Sequence, residues 1–101
     1  MSWKISFLDK AIDDFSALDR SKQIEVAKAL DKVKENPLPI QEGGYGKPLS
    51  GNLAGCCKIK LKKSGIRIIY KIERIGKKMI IVVIGFRQDL EVYRIAEKRI
   101  R

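Results

Sequence analysis

The chain has 101 residues, of which 22 are basic and 12 acidic, and its formal net charge is +10. This length predicts a single domain over residues 1–101 with one hydrophobic core, and a hydrophobic fraction of 45% excludes disorder as the default state. The longest apolar run, "MIIVVIGF", is too short to cross a membrane, and the N-terminus has no signal-peptide pattern. We therefore expect a cytoplasmic protein with no membrane partner.

The positive charge is confined to the second part of the sequence. Residues 1–36 contain seven basic and seven acidic residues, whereas residues 37–101 contain fifteen basic and five acidic ones. Lysine-rich surfaces can serve solubility alone. Because the excess lies in one region, the pattern favours an anionic partner for this part of the chain.

The first third of the chain predicts a strand and two helices. "WKISF" alternates as a short strand does, and residues 10–18 carry apolar side chains at helical spacing behind Asp9, a candidate N-cap. A second helix is predicted over residues 22–35, ending before Pro37. Its predicted inner residues are Ile24, Ala27, Leu30 and either Val33 or Lys34. We interpret the pair as an antiparallel helix hairpin that covers one face of a sheet.

The remaining sequence predicts most of that sheet. A connection rich in glycine and proline leads to three strands at residues 56–61, 66–75 and 79–86, joined by short turns that imply antiparallel pairing. An amphipathic helix is predicted over residues 90–100. The fold class is therefore α+β: an N-terminal strand and an antiparallel helix hairpin packed on a small twisted antiparallel sheet of about four strands, with a C-terminal helix.

Side-chain alternation predicts a cationic face on this sheet. Lys58 and Lys60 point away from the apolar face of the first long strand, and Arg67 points the same way from its neighbour. Arg87 follows the last strand. The open face of the sheet is thus predicted to gather positive side chains on a rigid floor.

Cysteine and histidine usage limits the chemistry. Cys56 and Cys57 are adjacent, so their side chains point to opposite faces of a strand, which argues against a disulfide and places one of them in the core. The chain has no histidine, so a zinc site has almost no ligands, and acid–base chemistry has to use lysine, arginine, tyrosine or carboxylates. We expect no metal and no cofactor.

The segments "CCKIKLKKSGIRIIYKI" and "VIGFRQDLEVYRIAEKRI" resemble the RelE toxins of bacterial toxin–antitoxin modules, within the RelE/ParE superfamily. The resemblance covers nearly the whole chain. It implies a ribosome-dependent endoribonuclease, or mRNA interferase, that cuts mRNA in the ribosomal A site and inhibits translation. It also implies a cognate RelB-like antitoxin as partner, besides the ribosome with its mRNA.

By this resemblance the catalytic residues are Lys58, Lys60, Arg67, Arg87 and Tyr93. The lysines bind and polarise the RNA, Arg67 holds the phosphate, and Arg87 stabilises the transition state. Tyr93 is the candidate base, and one of the lysines is the alternative if crowding lowers its pKa. Further RNA contacts are expected from Lys62, Lys63 and Lys71. Phe86 departs from the family, which can have a basic residue there, and either weakens RNA contact or extends the core.

Three functions remain open at this point. A ParE-like toxin would bind DNA gyrase and cut nothing, and a basic RNA- or ribosome-binding module would lack catalysis. Taken one at a time, the lysines also fit solvated strand residues, Tyr93 fits packing on the sheet, and the arginines fit ion pairs with Glu91 or Glu97. Only the joint pattern favours the nuclease, whose antitoxin would be an acidic or amphipathic segment that covers the basic face.

Overall fold

The computed structural model describes residues 2–86 and 88–100, and these residues form five strands and three helices. The elements in chain order are β1 Lys4–Phe7, α1 Asp9–Ser16, α2 Arg20–Val33, β2 Lys47–Pro48, β3 Cys56–Leu61, β4 Ile66–Glu73, β5 Lys78–Gly85 and α3 Asp89–Arg99. The α+β class is confirmed, and the bounds of the predicted helices and long strands agree to within two residues. No helix in the described ranges is long and apolar enough to span a membrane.

The sheet has the order β1-β5-β4-β3-β2. Strands β3, β4 and β5 are antiparallel neighbours, as predicted. Two features differ from the prediction of about four antiparallel strands. The N-terminal strand runs parallel to β5, and the two-residue β2 extends the other edge. A two-residue strand carries no readable alternation, and the pairing of β1 with β5 depends on contacts between the two ends of the sequence.

One hydrophobic core lies between the sheet and the α1–α2 hairpin. The strand face that was predicted to be covered does point into it, through Ile66, Ile68 and Tyr70, all fully buried.

The inner side of α2 was partly mispredicted. Val26, Leu30 and Val33 are buried, whereas Ile24 is 45% exposed and Ala27 is also exposed. Apolar residues occur on two adjacent stripes of this helix, and packing against the sheet selects the stripe that contains Val26.

The helix caps also correct the sequence analysis. Asp9 is not an N-cap, because α1 begins at Asp9 itself and Leu8 occupies the cap position. The cap by a carboxylate occurs at α2 instead, where Asp19 accepts a hydrogen bond of 3.0 Å from the backbone N–H of Lys22. Asp19 therefore satisfies one of the free donors at the start of α2 and fixes where that helix begins.

A second core lies on the opposite face of the sheet, under α3. Val92 and Ala96 are fully buried there against Ile69, Val82 and Val83. The face that was predicted to be open is therefore partly covered by the C-terminal helix. As a result both cysteines are buried, Cys57 in the core under the hairpin and Cys56 in the core under α3, and neither forms a disulfide.

An ion pair holds the C-terminal end of α3. Arg99 Nη1 donates to Asp14 Oδ2 at 2.6 Å and to the carbonyl of Val82 at 2.8 Å, and the same carboxylate oxygen accepts from the backbone N–H of Ile84 at 3.0 Å. Strand β1 ends at Phe7, so β5 continues beyond its parallel partner. The two side chains supply hydrogen bonds to this stretch of β5 and link α1 to α3 across it.

A hydrogen bond from Tyr70 anchors the long connection between α2 and β3 to the core. Its side chain is fully buried, and its hydroxyl donates a hydrogen bond of 2.7 Å to the carbonyl of Pro37. Gly46 passes so close that a Cβ there would lie 2.3 Å from the Tyr70 hydroxyl oxygen. Burial raises the pKa of Tyr70, so the hydroxyl remains a donor at neutral pH.

We expect Tyr70→Phe to lower the free energy of unfolding by about 1–3 kcal/mol, because the buried carbonyl of Pro37 loses its donor. Urea unfolding followed by circular dichroism measures this change. Tyr45→Phe is the matched control, since Tyr45 is half-exposed and its substitution should change the free energy by less than about 0.5 kcal/mol. Equal effects of the two substitutions would contradict a stabilising role for the hydrogen bond from Tyr70 to the Pro37 carbonyl.

Candidate functional site

Strand pairing brings the predicted cations together. In the β3–β4 register Lys60 lies directly opposite Arg67, and Lys58 lies opposite Ile69. The side chains of Lys58, Lys60 and Arg67 therefore project from the same face of two adjacent strands. Like charges directly opposite each other on a sheet are destabilising unless an anion lies between them.

Helix α3 supplies an anion to two of these three cations, Lys58 and Arg67. Lys58 Nζ donates to Asp89 Oδ2 at 2.9 Å, and Arg67 Nε donates to the other oxygen, Asp89 Oδ1. Tyr93 is one turn further along α3, and its ring centre is 5.7 Å from Lys58 Nζ. We call Lys58, Arg67, Asp89 and Tyr93 the anion-site cluster. Two strands and the C-terminal helix thus meet at a single carboxylate.

The cluster is partly shielded from water, which strengthens its charge interactions. The side chains of Lys58 and Arg67 are 15% and 13% exposed, and that of Asp89 is 39% exposed. The hydrogen bond from Lys58, together with Arg67, lowers the pKa of Asp89. Burial acts to lower the pKa of Lys58, but its interactions with Asp89 and Tyr93 outweigh burial and raise it. Lys58 is therefore held as an ammonium ion, which argues against it as the general base.

The other predicted residues lie at different distances from this cluster. Lys60 is exposed beside it, opposite Arg67. Lys62 and Lys63 are exposed in the turn between β3 and β4. Lys71 lies four residues beyond Arg67 on β4, a separation of about 13 Å along a strand. It borders the cavity beside Ile100, at the far end of α3.

Arg87 lies outside the described residues, so its predicted place beside the cluster remains a prediction. Phe86, immediately before it, is 50% exposed and so does not extend the core. Its ring centre is 6.0 Å from Lys22 Nζ, close enough for a weak cation–π contact. Lys22 also lines a groove with Lys28 and Lys63, which extends the positive surface beyond the sheet.

Sequence reasoning missed Asp89. It considered Glu91 and Glu97 as partners for the arginines and did not include Asp89, which forms an ion pair with Arg67. A signal was available, because Asp89 precedes Tyr93 by four residues and so lies on the same side of the helix. Within the described residues, no three histidine, cysteine or acidic side chains come close enough to hold a metal ion.

The lowered pKa of Asp89 predicts a pH-dependent contribution to stability. A depressed folded-state pKa stabilises the fold above the usual carboxyl value of 3.8, and this contribution is lost as the pH falls through the lower value. We expect Asp89→Asn to lower the melting temperature by about 2–6 °C at neutral pH, since the pair is partly exposed. The difference from the unaltered protein should shrink as the pH falls below 3.8 and through the lowered pKa of Asp89. A difference that does not change with pH would contradict this account.

We compared the chain with protein-family models, curated proteins and solved structures. No protein-family model matches it. It is 34% identical to a RelE-like toxin protein of Escherichia coli over 104 residues, covering 100% of both proteins. It is 32% identical to the mRNA interferase toxin RelE of Escherichia coli K12, covering 99% of each.

The fold agrees with the sequence matches. A double arginine-to-alanine mutant of the Escherichia coli toxin RelE, in the free state, superimposes with a TM-score of 0.82 at 28% identity, over 100% of both chains. The same mutant in complex with a peptide of the antitoxin RelBc gives a TM-score of 0.75 at 26% identity, over 93% of each chain. The chain therefore belongs to the RelE toxin family.

Proposed function

We propose that this protein is the toxin of a toxin–antitoxin module and a ribosome-dependent endoribonuclease that cleaves mRNA in the ribosomal A site. The observation that supports this most directly is the convergence of Lys58 and Arg67 on one anion, with Tyr93 beside Lys58 in the same cluster. Membership of a family whose curated members include proteins named mRNA interferase adds to it. A ParE-like gyrase inhibitor would have no need for these groups to meet.

The proposed reaction uses the RNA's own 2′-hydroxyl as nucleophile and requires no metal ion. The 2′-oxygen forms a bond to the adjacent phosphorus while the bond from phosphorus to the 5′-oxygen breaks. The products are a 2′,3′-cyclic phosphate and a free 5′-hydroxyl. The enzyme has to accept the 2′ proton, stabilise charge on the phosphoryl oxygens and return a proton to the leaving oxygen.

We assign these tasks as follows. Lys58 and Arg67 bind the phosphoryl oxygens at the place where Asp89 now lies, because ammonium and guanidinium groups bind carboxylate and phosphate oxygens alike. Tyr93 is the candidate base for the 2′ proton. Arg87 stabilises the transition state and is the candidate donor of the proton that the leaving 5′-oxygen takes up. Lys60, Lys62, Lys63 and, further away, Lys71 contact the RNA backbone.

Weak acid–base groups make positioning important. The chain has no histidine, the side chain that titrates near neutral pH, so tyrosine and arginine have to move the protons. Effective proton transfer then depends on an RNA held in the reactive geometry, which can supply a large part of the barrier reduction. This supports the ribosome as the partner that orients the mRNA.

The second proposed partner is a RelB-like antitoxin. A similar toxin is known in complex with an antitoxin peptide. We infer that an acidic or amphipathic antitoxin segment covers the basic face of this chain. Helix α3, which carries Tyr93, is the element that such a segment would displace.

The central test uses ribosomes programmed with a defined mRNA. We expect the purified protein to cut the mRNA within the A-site codon, leaving ends that primer extension maps, and to cut the same RNA free in solution at least about a hundredfold more slowly. Stable ribosome association without cleavage would instead indicate a binding module. Intact mRNA together with a DNA-damage response in cells would indicate a gyrase inhibitor.

The site assignment is tested by Tyr93→Phe and Arg87→Ala. Each should lower the rate of ribosome-dependent cleavage by about a hundredfold or more and relieve growth inhibition, because each removes a group that acts in the transition state. Tyr45→Phe is the control, since Tyr45 is half-exposed beside Lys32 and lies outside the cluster. Circular dichroism checks that the variants fold. Undiminished cleavage by both folded variants would remove Tyr93 and Arg87 from the site.

A further inference from the structure

Asp89 occupies the position that the proposed function gives to a phosphate. Its two carboxylate oxygens are divided between cations from two strands, Lys58 of β3 and Arg67 of β4. Both cationic side chains are more than four-fifths buried, and Lys58 Nζ and Arg67 Nε donate to this carboxylate. A phosphodiester also presents two anionic oxygens that accept from ammonium and guanidinium groups. One site cannot hold both anions.

We propose that Asp89 is an internal competitor for the phosphate-binding site, and that RNA binds only when the first turn of α3 moves and withdraws this carboxylate. The inference rests on the proposed function, because it takes Lys58 and Arg67 as ligands of the phosphate. It adds a means of regulation that lies within the toxin chain itself.

The first turn of α3 is attached in a way that allows this movement. Leu90 is 71% exposed and Glu91 is exposed, so the turn buries little apolar surface. The buried contacts of the helix begin at Val92, where the first turn ends, and continue at Ala96, and Arg99 fixes the far end of the helix to Asp14. The side chain of Asp89 is itself 39% exposed and can exchange its cations for water. Releasing the turn therefore leaves the core under α3 in place.

Competition of this kind weakens binding by a calculable factor. The apparent dissociation constant equals the intrinsic one divided by the fraction of molecules in which the site is vacant. If Asp89 leaves the site in roughly a tenth of the molecules, free RNA binds about tenfold more weakly than it otherwise would. On the ribosome the RNA is held in place, and its high effective concentration overcomes the competitor.

A different role for Asp89 predicts the opposite behaviour. If Asp89 stayed in the site and positioned Lys58 and Arg67 for the substrate, its removal would loosen both cations and weaken RNA binding. The direction of the change in affinity therefore separates competition from positioning.

The experiment measures binding of a short fluorescein-labelled RNA in which every 2′-hydroxyl is methylated, so that the probe cannot be cleaved by 2′-oxygen attack. Fluorescence anisotropy compares the unaltered protein, Asp89→Asn and Glu97→Gln. Glu97 lies about two turns further along α3 and accepts a hydrogen bond of 3.2 Å from Asn52, which glutamine can preserve. Both substitutions remove one negative charge from the same helix. A difference between their affinities for the RNA therefore reflects where the charge lies and not the net charge of the protein.

We expect Asp89→Asn to bind the probe about five- to tenfold more tightly, and Glu97→Gln to stay within about twofold of the unaltered protein. Adding Arg67→Gln to Asp89→Asn should abolish most of the gain. Unchanged or weaker binding by Asp89→Asn, or an equal gain in Glu97→Gln, would overturn the proposal.

A second measurement uses the unaltered protein and so does not depend on the folding of any variant. Amide hydrogen exchange is followed over α3 with and without the methylated RNA. The proposal expects faster exchange at the Val92 amide when RNA is bound, because this N–H donates to the Gln88 carbonyl and closes the first turn, with protection retained around Ala96. Slower or unchanged exchange in the first turn would overturn it.

Neither measurement depends on RNA cleavage. Tighter binding by Asp89→Asn in a protein that never cuts mRNA would remove the proposed function and leave Asp89 as a competitor at an anion site. Ribosome-dependent cleavage with unchanged binding by Asp89→Asn would remove the competitor and leave the nuclease.

Discussion

Two adjacent strands that carry Lys58, Lys60 and Arg67 on the same face create a repulsion that the fold has to offset. The strand register places Lys60 opposite Arg67. This register cannot shift by one residue, because the shift would turn the apolar side chains of the core under the α1–α2 hairpin toward water. The face therefore requires an anion. Asp89 supplies one in the free protein, and the same requirement makes the face suitable for RNA.

The sheet serves as the rigid layer of the site and α3 as its adjustable layer. The hairpin core fixes β3 and β4 from one side, through buried residues such as Ile68 and Tyr70. On the other side, α3 is held in its middle by small buried side chains and at its ends by two ion pairs, Asp89 with its cations and Arg99 with Asp14. If Asp89 is exchanged for an RNA phosphate, the cations on β3 and β4 stay in place while α3 moves.

Local patterns in the sequence were sufficient for the parts of the site that lie on strands. Period-two alternation separated Lys58 and Arg67 from the apolar face, and the short turn after Leu61 set the antiparallel pairing. The remaining features depend on contacts between distant segments, which periodicity does not report. Examples are the parallel pairing of β1 with β5, the rotation of α2 that buries Val26, and the placement of Asp89 over the cations.

The parallel pairing of β1 with β5 has a consequence for the growing polypeptide. The first strand to be synthesised has as its sheet partner the last, Lys78–Gly85, and the helix that completes the cluster follows even that. A nascent chain cannot complete this sheet until β5 has emerged. The order of synthesis thus keeps the anion-site cluster unassembled until both β5 and α3 have left the ribosome.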